Sequence, residues 1–78
     1  MTEPDPVLDI RPVPHPRRHI VIFGKYSELA PGGGFVLIAD HDPLPLHSLF
    51  KAEHKDTFSW DYLEEGPDEW HIRIGRVS

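Results

Sequence analysis

Apolar side chains recur along this chain with two different periods. His19, Ile22, Phe23, Tyr26, Leu29 and Ala30 are spaced by threes and fours, which places them on one face of a helix. Pro16 suits the first turn of that helix, where a missing N–H costs nothing, and Pro31-Gly32-Gly33-Gly34 cannot continue it. The spacing predicts a helix over Pro16–Leu29. A second helix is predicted over Pro43–His54, with Leu46, Leu49, Phe50 and Glu53 on one side. Asp42 reads as its N-cap and Pro43 as its first residue.

The other period is two. Phe58, Trp60 and Tyr62 alternate with Ser59, Asp61 and Leu63, and Trp70, Ile72 and Ile74 alternate with His71 and Arg73. The Glu64–Glu69 stretch between them carries Gly and Pro, so the two runs form a hairpin. Its aromatic side should face the helices, leaving Asp61 and Arg73 as neighbours on the other side. Phe35–Ala39 is an unbroken apolar run and reads as a central strand. Val7–Ile10 is a short first strand.

The resulting order is β-α-β-α-β-β. It predicts an α+β two-layer sandwich, a four-stranded mixed sheet with two helices on one face. The first two strands, joined through a helix, should be parallel. Ile22, Phe23, Leu37, Leu49, Trp60 and Ile72 are the expected core.

Composition narrows the functional classes. The chain has 78 residues, enough for one domain, expected over 7–78 behind a flexible acidic tail over 1–6. With 38% apolar and 27% charged residues it should pack rather than stay disordered. Net charge is −5, and Arg17-Arg18 is the longest basic run, so nucleic acid is not an expected partner. The absence of cysteine excludes disulfides, thiolate metal sites and cysteine nucleophiles in this sequence. No apolar run reaches membrane-spanning length and the N-terminus has no signal-peptide core. The expectation is a cytoplasmic protein that does not enter membranes.

Three segments carry a resemblance: LDIRPVPHP (Leu8–Pro16), VLIADHDPLPLHSLFKAEH (Val36–His54) and FSWDYLEEGPDEWHIRIGR (Phe58–Arg76). Together they resemble the small bacterial DUF2249 domain, whose resemblance to the TusA/SirA-like fold implies the same element order. That family occurs alone and beside other domains, hemerythrin-like ones among them, which implies a metal- or redox-linked setting. TusA-like sulfur carriers end a strand with Leu-Asp-x-Arg and open the next helix with Cys-Pro. Here Leu8-Asp9-Ile10-Arg11 matches the strand, and His15-Pro16 stands in place of Cys-Pro. An imidazole cannot carry a persulfide, so this chain alone cannot relay sulfur that way.

The predicted topology brings the carboxyl ends of the first two strands together, where ligands favour α/β folds. The ligand-binding candidates there are His15, His19, His41, Asp42 and His47, with Asp40 adjacent. His15 and His41 are the metal-ligand candidates, and imidazole plus carboxylate suits a divalent transition metal such as Zn, Fe, Ni or Cu. Structural roles compete with each of these. Asp42 is accounted for as a helix cap, His19 as a packed histidine, and His47 and His54 as solvated residues. The spacing matches no zinc signature, and Pro31–Gly34 lacks the Lys and Ser/Thr of a phosphate loop. Val36 and Ile38 would lie on the sheet face without helices, and they are the candidate surface for a protein partner or a homodimer. The sequence therefore reads as a non-catalytic TusA-like binding module. The alternative is a metal-binding or redox accessory protein using the His15/His41 edge.

Overall fold

The computed structural model describes residues 5–78. Residues 1–4 of the expected tail lie outside the described residues. Six elements follow in the expected order: β1 (Val7–Asp9), α1 (His15–Ser27), β2 (Gly34–Ala39), α2 (Leu44–Glu53), β3 (Phe58–Glu65) and β4 (Trp70–Arg76). The sheet order is β1-β2-β4-β3. β1 pairs with β2 in parallel, while β4 is antiparallel to both β2 and β3. The chain is thus an α+β fold built on a four-stranded mixed sheet.

Alternation along the strands fixes the layers. Phe35, Leu37 and Ala39 of β2 are buried with Ile72 and Ile74 of β4. Ile22 and Tyr26 of α1 and Leu46 and Phe50 of α2 complete the same cluster, so both helices cover one face. Phe50 is fully buried at the meeting point of the layers. It stacks on Phe23 (ring centroids 4.5 Å), meets Tyr26 edge-on (5.2 Å) and touches Phe58 across the interface. Burying each such side chain contributes roughly 1.5–3 kcal/mol against chain entropy.

The core differs from expectation at three of six positions. Ile22, Leu37 and Ile72 are buried, but Phe23 and Trp60 are only partly covered and Leu49 is exposed. On α2 the buried pair Leu46 and Phe50 is spaced by four, which makes a narrow stripe. Leu49 falls beside it, where no third layer covers the helix. His19 is likewise exposed, and the buried positions of α1 are Arg18, Ile22 and Tyr26.

The hairpin register pairs Asp61 with Arg73 as expected, along with Trp60 with Ile74 and Tyr62 with Ile72. The Arg73 guanidinium turns elsewhere, however. Its Nε donates to Asp5 at 2.7 Å, and the group lies over the Gly34 and Gly75 backbones, where a Cβ would collide with it. On the face without helices Val36 and Ile38 are half-buried, with Val7 exposed beside Val36 in the parallel register. Ion pairs flank this strip. Asp5–Arg73 lies on one side, and Asp9, Arg11, Glu69 and His71 form a chain on the other.

Among the described residues, no helix is long and apolar enough to cross a membrane.

Candidate functional site

The site grows from the way the chain leaves β1. Ile10 extends the ladder, donating its N–H to Ile38 O at 2.9 Å, and Val13 N–H turns back to Ile10 O at 3.0 Å. Prolines at 12, 14 and 16 stiffen the connection into α1, whose first residue is His15. Arg18, one turn into α1, locks the loop from inside. Its Nε donates to Val13 O (2.8 Å), its Nη2 to Arg11 O (3.1 Å) and its Nη1 to Asp40 Oδ1 (3.3 Å). A planar guanidinium can reach all three acceptors at once, which a lysine cannot. That is how a cation can be only 9% exposed.

Asp40 ties this loop to the one that follows β2. Besides Arg18, it accepts the Nδ1–H of His41 at 2.6 Å. The Arg18 and then the His41 hydrogen bonds lower its pKa to about 2. Asp40 is therefore ionised at neutral pH and the shared proton sits on His41 Nδ1, so Nε2 is an acceptor whenever the ring carries a single proton. The His41 ring stacks on that of His15, with centroids 5.7 Å apart and planes inclined by 25°.

Beneath these two rings lies a cavity of about 150 Å³. Ile10, Ile22, Leu37, Ala39 and Leu46 give it an apolar floor, and His15, His19, His41 and Arg18 supply its polar wall. Among the described residues, no acidic side chain lines it. It sits at the carboxyl ends of β1 and β2, between the first turns of α1 and α2. Neither helix start has a side-chain cap or an acidic residue in its first turn.

The other two candidates lie away from this cavity. Asp42 does not cap α2, because the N-cap position is Pro43 and no side chain caps it. Its carboxylate instead accepts the Tyr62 hydroxyl of β3 at 2.7 Å. His47 lies against Trp60, with ring centroids 4.3 Å apart and planes 1° from parallel. Burial lowers its pKa below the ordinary 6.5, Lys51 adds to the effect, and Asp42 opposes it. Among the described residues, Trp60 Nε1 has no hydrogen-bond partner although it is buried.

Arg18 is not among the residues expected at the site from sequence, and Asp40 is expected there only as a neighbour. Arg18 had a readable signal, since it lies four residues before Ile22 and eight before Tyr26 on the buried stripe. Among the described residues, no group of three or more His, Cys, Asp or Glu side chains is arranged to hold a metal ion. His15 and His41 would need ligands from elsewhere to complete a coordination sphere.

The family DUF2249, described as an uncharacterized conserved protein, matches residues 7–76. No curated protein and no solved structure matches the chain. With nearly the whole sequence covered by the match, the chain belongs to the DUF2249 family.

Proposed function

We propose that this DUF2249 chain is a small non-catalytic, TusA-like binding module that takes a small ligand in the cavity beneath His15 and His41. One observation carries the reading: an apolar cavity with a one-sided polar wall stands where two strand ends and two helix starts converge. Nothing there resembles a nucleophile with its base. The nearest thing to reactive geometry is Asp40 orienting His41, which equally serves recognition. A cytoplasmic, bacterial setting belongs to the same reading and rests on the family resemblance.

A protein partner on the open sheet is the weaker form of this reading. The apolar strip of Val36 and Ile38 is half-buried and bounded by ion pairs on both sides, which leaves little continuous apolar surface to dock.

The metal-binding alternative has its own support. A carboxylate that accepts the Nδ1–H of a histidine is the usual way a metal-binding imidazole is oriented, and Asp40 does this for His41 beside His15.

The readings separate in titrations of the 15N-labelled chain. A small-fragment screen should shift the amides of Ile10, Ala39, His41 and Leu46 together and saturably. Shifts elsewhere, or none with any fragment, would remove the ligand-module reading. Calorimetric titration with Zn or Ni, repeated on His15→Ala and His41→Ala, tests the alternative. Equal heats in all three proteins would exclude a shared metal.

A further inference from the structure

We infer that the ligand of this cavity is a small carboxylic acid with an apolar body, its anionic head held at the wall of His15, His19 and Arg18. This deepens the binding-module reading and rests on it.

Size limits the body. An apolar cavity of 150 Å³ holds a molecule about as large as benzene. Peptides, nucleotides and sugars of ordinary size are too large to enter whole. The floor limits its chemistry. Ile10, Ile22, Leu37, Ala39 and Leu46 offer no side-chain hydrogen bond, so any polar group pressed against them would lose its hydration without replacement. The part that enters must be apolar.

The wall sets the head group through its charge pattern. The chain carries 13 Asp and Glu against 8 Lys and Arg, yet among the described residues no acidic side chain lines this cavity, whereas three imidazoles and one guanidinium do. The nearest carboxylates are already engaged. Asp40 is held by Arg18 and His41, and Asp42 by Tyr62. A negative charge placed at the wall thus meets donors and partly compensated acids, while a positive one would meet Arg18. No acidic side chain in the first turns of α1 and α2 offsets the positive ends of their dipoles. His15 and His19 can each donate to a carboxylate in either protonation state, so the preference does not need a charged histidine, whereas the single N–H of a neutral His41 ring is already given to Asp40. A neutral isostere would keep the floor contacts and lose the head-group attraction.

The test is a titration of the full chain with two matched pairs, benzoate against benzamide and isovalerate against isovaleramide, read by 15N–1H shifts. The pairs share shape and differ in charge. At least one acid should saturate the amides of Ile10, Ala39, His41 and Leu46 with affinity at least tenfold above its amide. The double variant His15→Leu/His19→Leu should narrow that ratio to about threefold or less while still binding the amide, because the floor is untouched. If an amide binds in the cavity as tightly as its acid, the carboxylate inference falls and the ligand-module reading stands. If no acid or amide shifts the cavity amides, while a fragment of another class does, the inference again falls alone. If nothing tested enters the cavity, both fall. An unchanged acid-to-amide ratio in the double variant would overturn the assignment of the head group to this wall.

Discussion

The His47 ring lies flat on the Trp60 indole, 4.3 Å between centroids and 1° from parallel. A helix residue and a strand residue are thereby joined across the two layers. Flat stacking of this kind covers one face of each ring and removes water from that side of the imidazole. Burial disfavours the imidazolium, and Lys51, one turn further along α2, disfavours it again.

That packing makes a pH prediction with a definite sign. The folded pKa of His47 lies below the ordinary 6.5, so the unfolded chain takes the proton first. The stability His47 contributes is complete above about pH 6.5 and is lost as pH falls below it. Ring-proton NMR should show His47 titrating below 6.5. Urea unfolding should show stability falling from about pH 7 to about pH 5, and His47→Phe, which preserves stacking without a titrating group, should flatten part of that slope. An unchanged slope in His47→Phe would assign the dependence to other groups.

The Tyr62–Asp42 hydrogen bond gives a second. Tyr62→Phe keeps the ring in place and deprives the Asp42 carboxylate of its 2.7 Å donor. The loss should be about 1–2 kcal/mol, at the low end for hydrogen bonds to charged groups because water can replace the hydroxyl at a partly buried site. Equilibrium unfolding of Tyr62→Phe, with the Asp42→Asn/Tyr62→Phe cycle, measures it. A coupling near zero would mean the bond contributes nothing net.

These two contacts show where the sequence could and could not be read. Both helices lie within about two residues of their expected ends, because proline, glycine and the three–four spacing are local signals. The hairpin register pairs Asp61 with Arg73 as alternation requires. Asp42, His47 and Arg73 each take a partner from a distant segment. Asp42 had the local context of a cap, but Tyr62, twenty residues on, takes its carboxylate. His47 has the spacing of a strand-end histidine, but the sheet supplies Trp60 as its partner instead. Arg73 found Asp5 rather than its cross-strand neighbour. Local spacing fixes which face a residue occupies, not which of several partners on that face it reaches.

Leu49 and Phe50 turn that lesson into a stability comparison. Both lie on the expected apolar side of α2, one residue apart, yet Phe50 is fully buried among four aromatic rings and Leu49 is 37% exposed. Phe50→Ala should cost on the order of 3–5 kcal/mol, much of the stability of so small a domain. Leu49→Ala should cost no more than about 1 kcal/mol. Thermal or urea unfolding decides it. Comparable losses would mean that Leu49 is covered in solution.

Acid sensitivity should centre on the carboxylates at the ends of β1 and β2. The Arg11 hydrogen bond lowers the pKa of Asp9 to about 2, and Arg18 with His41 does the same for Asp40. Both folded values lie below the ordinary 3.8, so each stabilises the fold above about pH 4 and loses that effect as pH falls through about 2. Asp40→Asn should remove part of this dependence and should also free His41, seen as a change in the His41 ring tautomer by 15N NMR. An Asp40→Asn protein with the parental acid transition and the parental tautomer would contradict the Asp40 contacts.

Arg18 is where stability and the candidate site meet. It is the one buried charged side chain among the described residues, and it holds the β1–α1 loop by two carbonyls and the β2–α2 loop by Asp40. Arg18→Leu fits the buried stripe by shape but leaves Val13 O, Arg11 O and Asp40 without their donor. Removing one partner of such a set costs more than the bonds contribute net, here on the order of 2–4 kcal/mol. Arg18→Lys should recover less than half of the loss, because a single ammonium cannot span acceptors that a fork reaches together. The two variants differ in what they do to the cavity. Arg18→Lys keeps the charge but loosens the loop, so the amides of Ile10–His15 should exchange faster with solvent even under conditions where the protein stays folded. Hydrogen exchange measures this directly. If Arg18→Lys matches the parent in both unfolding and exchange, the guanidinium is not what holds His15 over the cavity, and the proline-rich loop must be rigid without it.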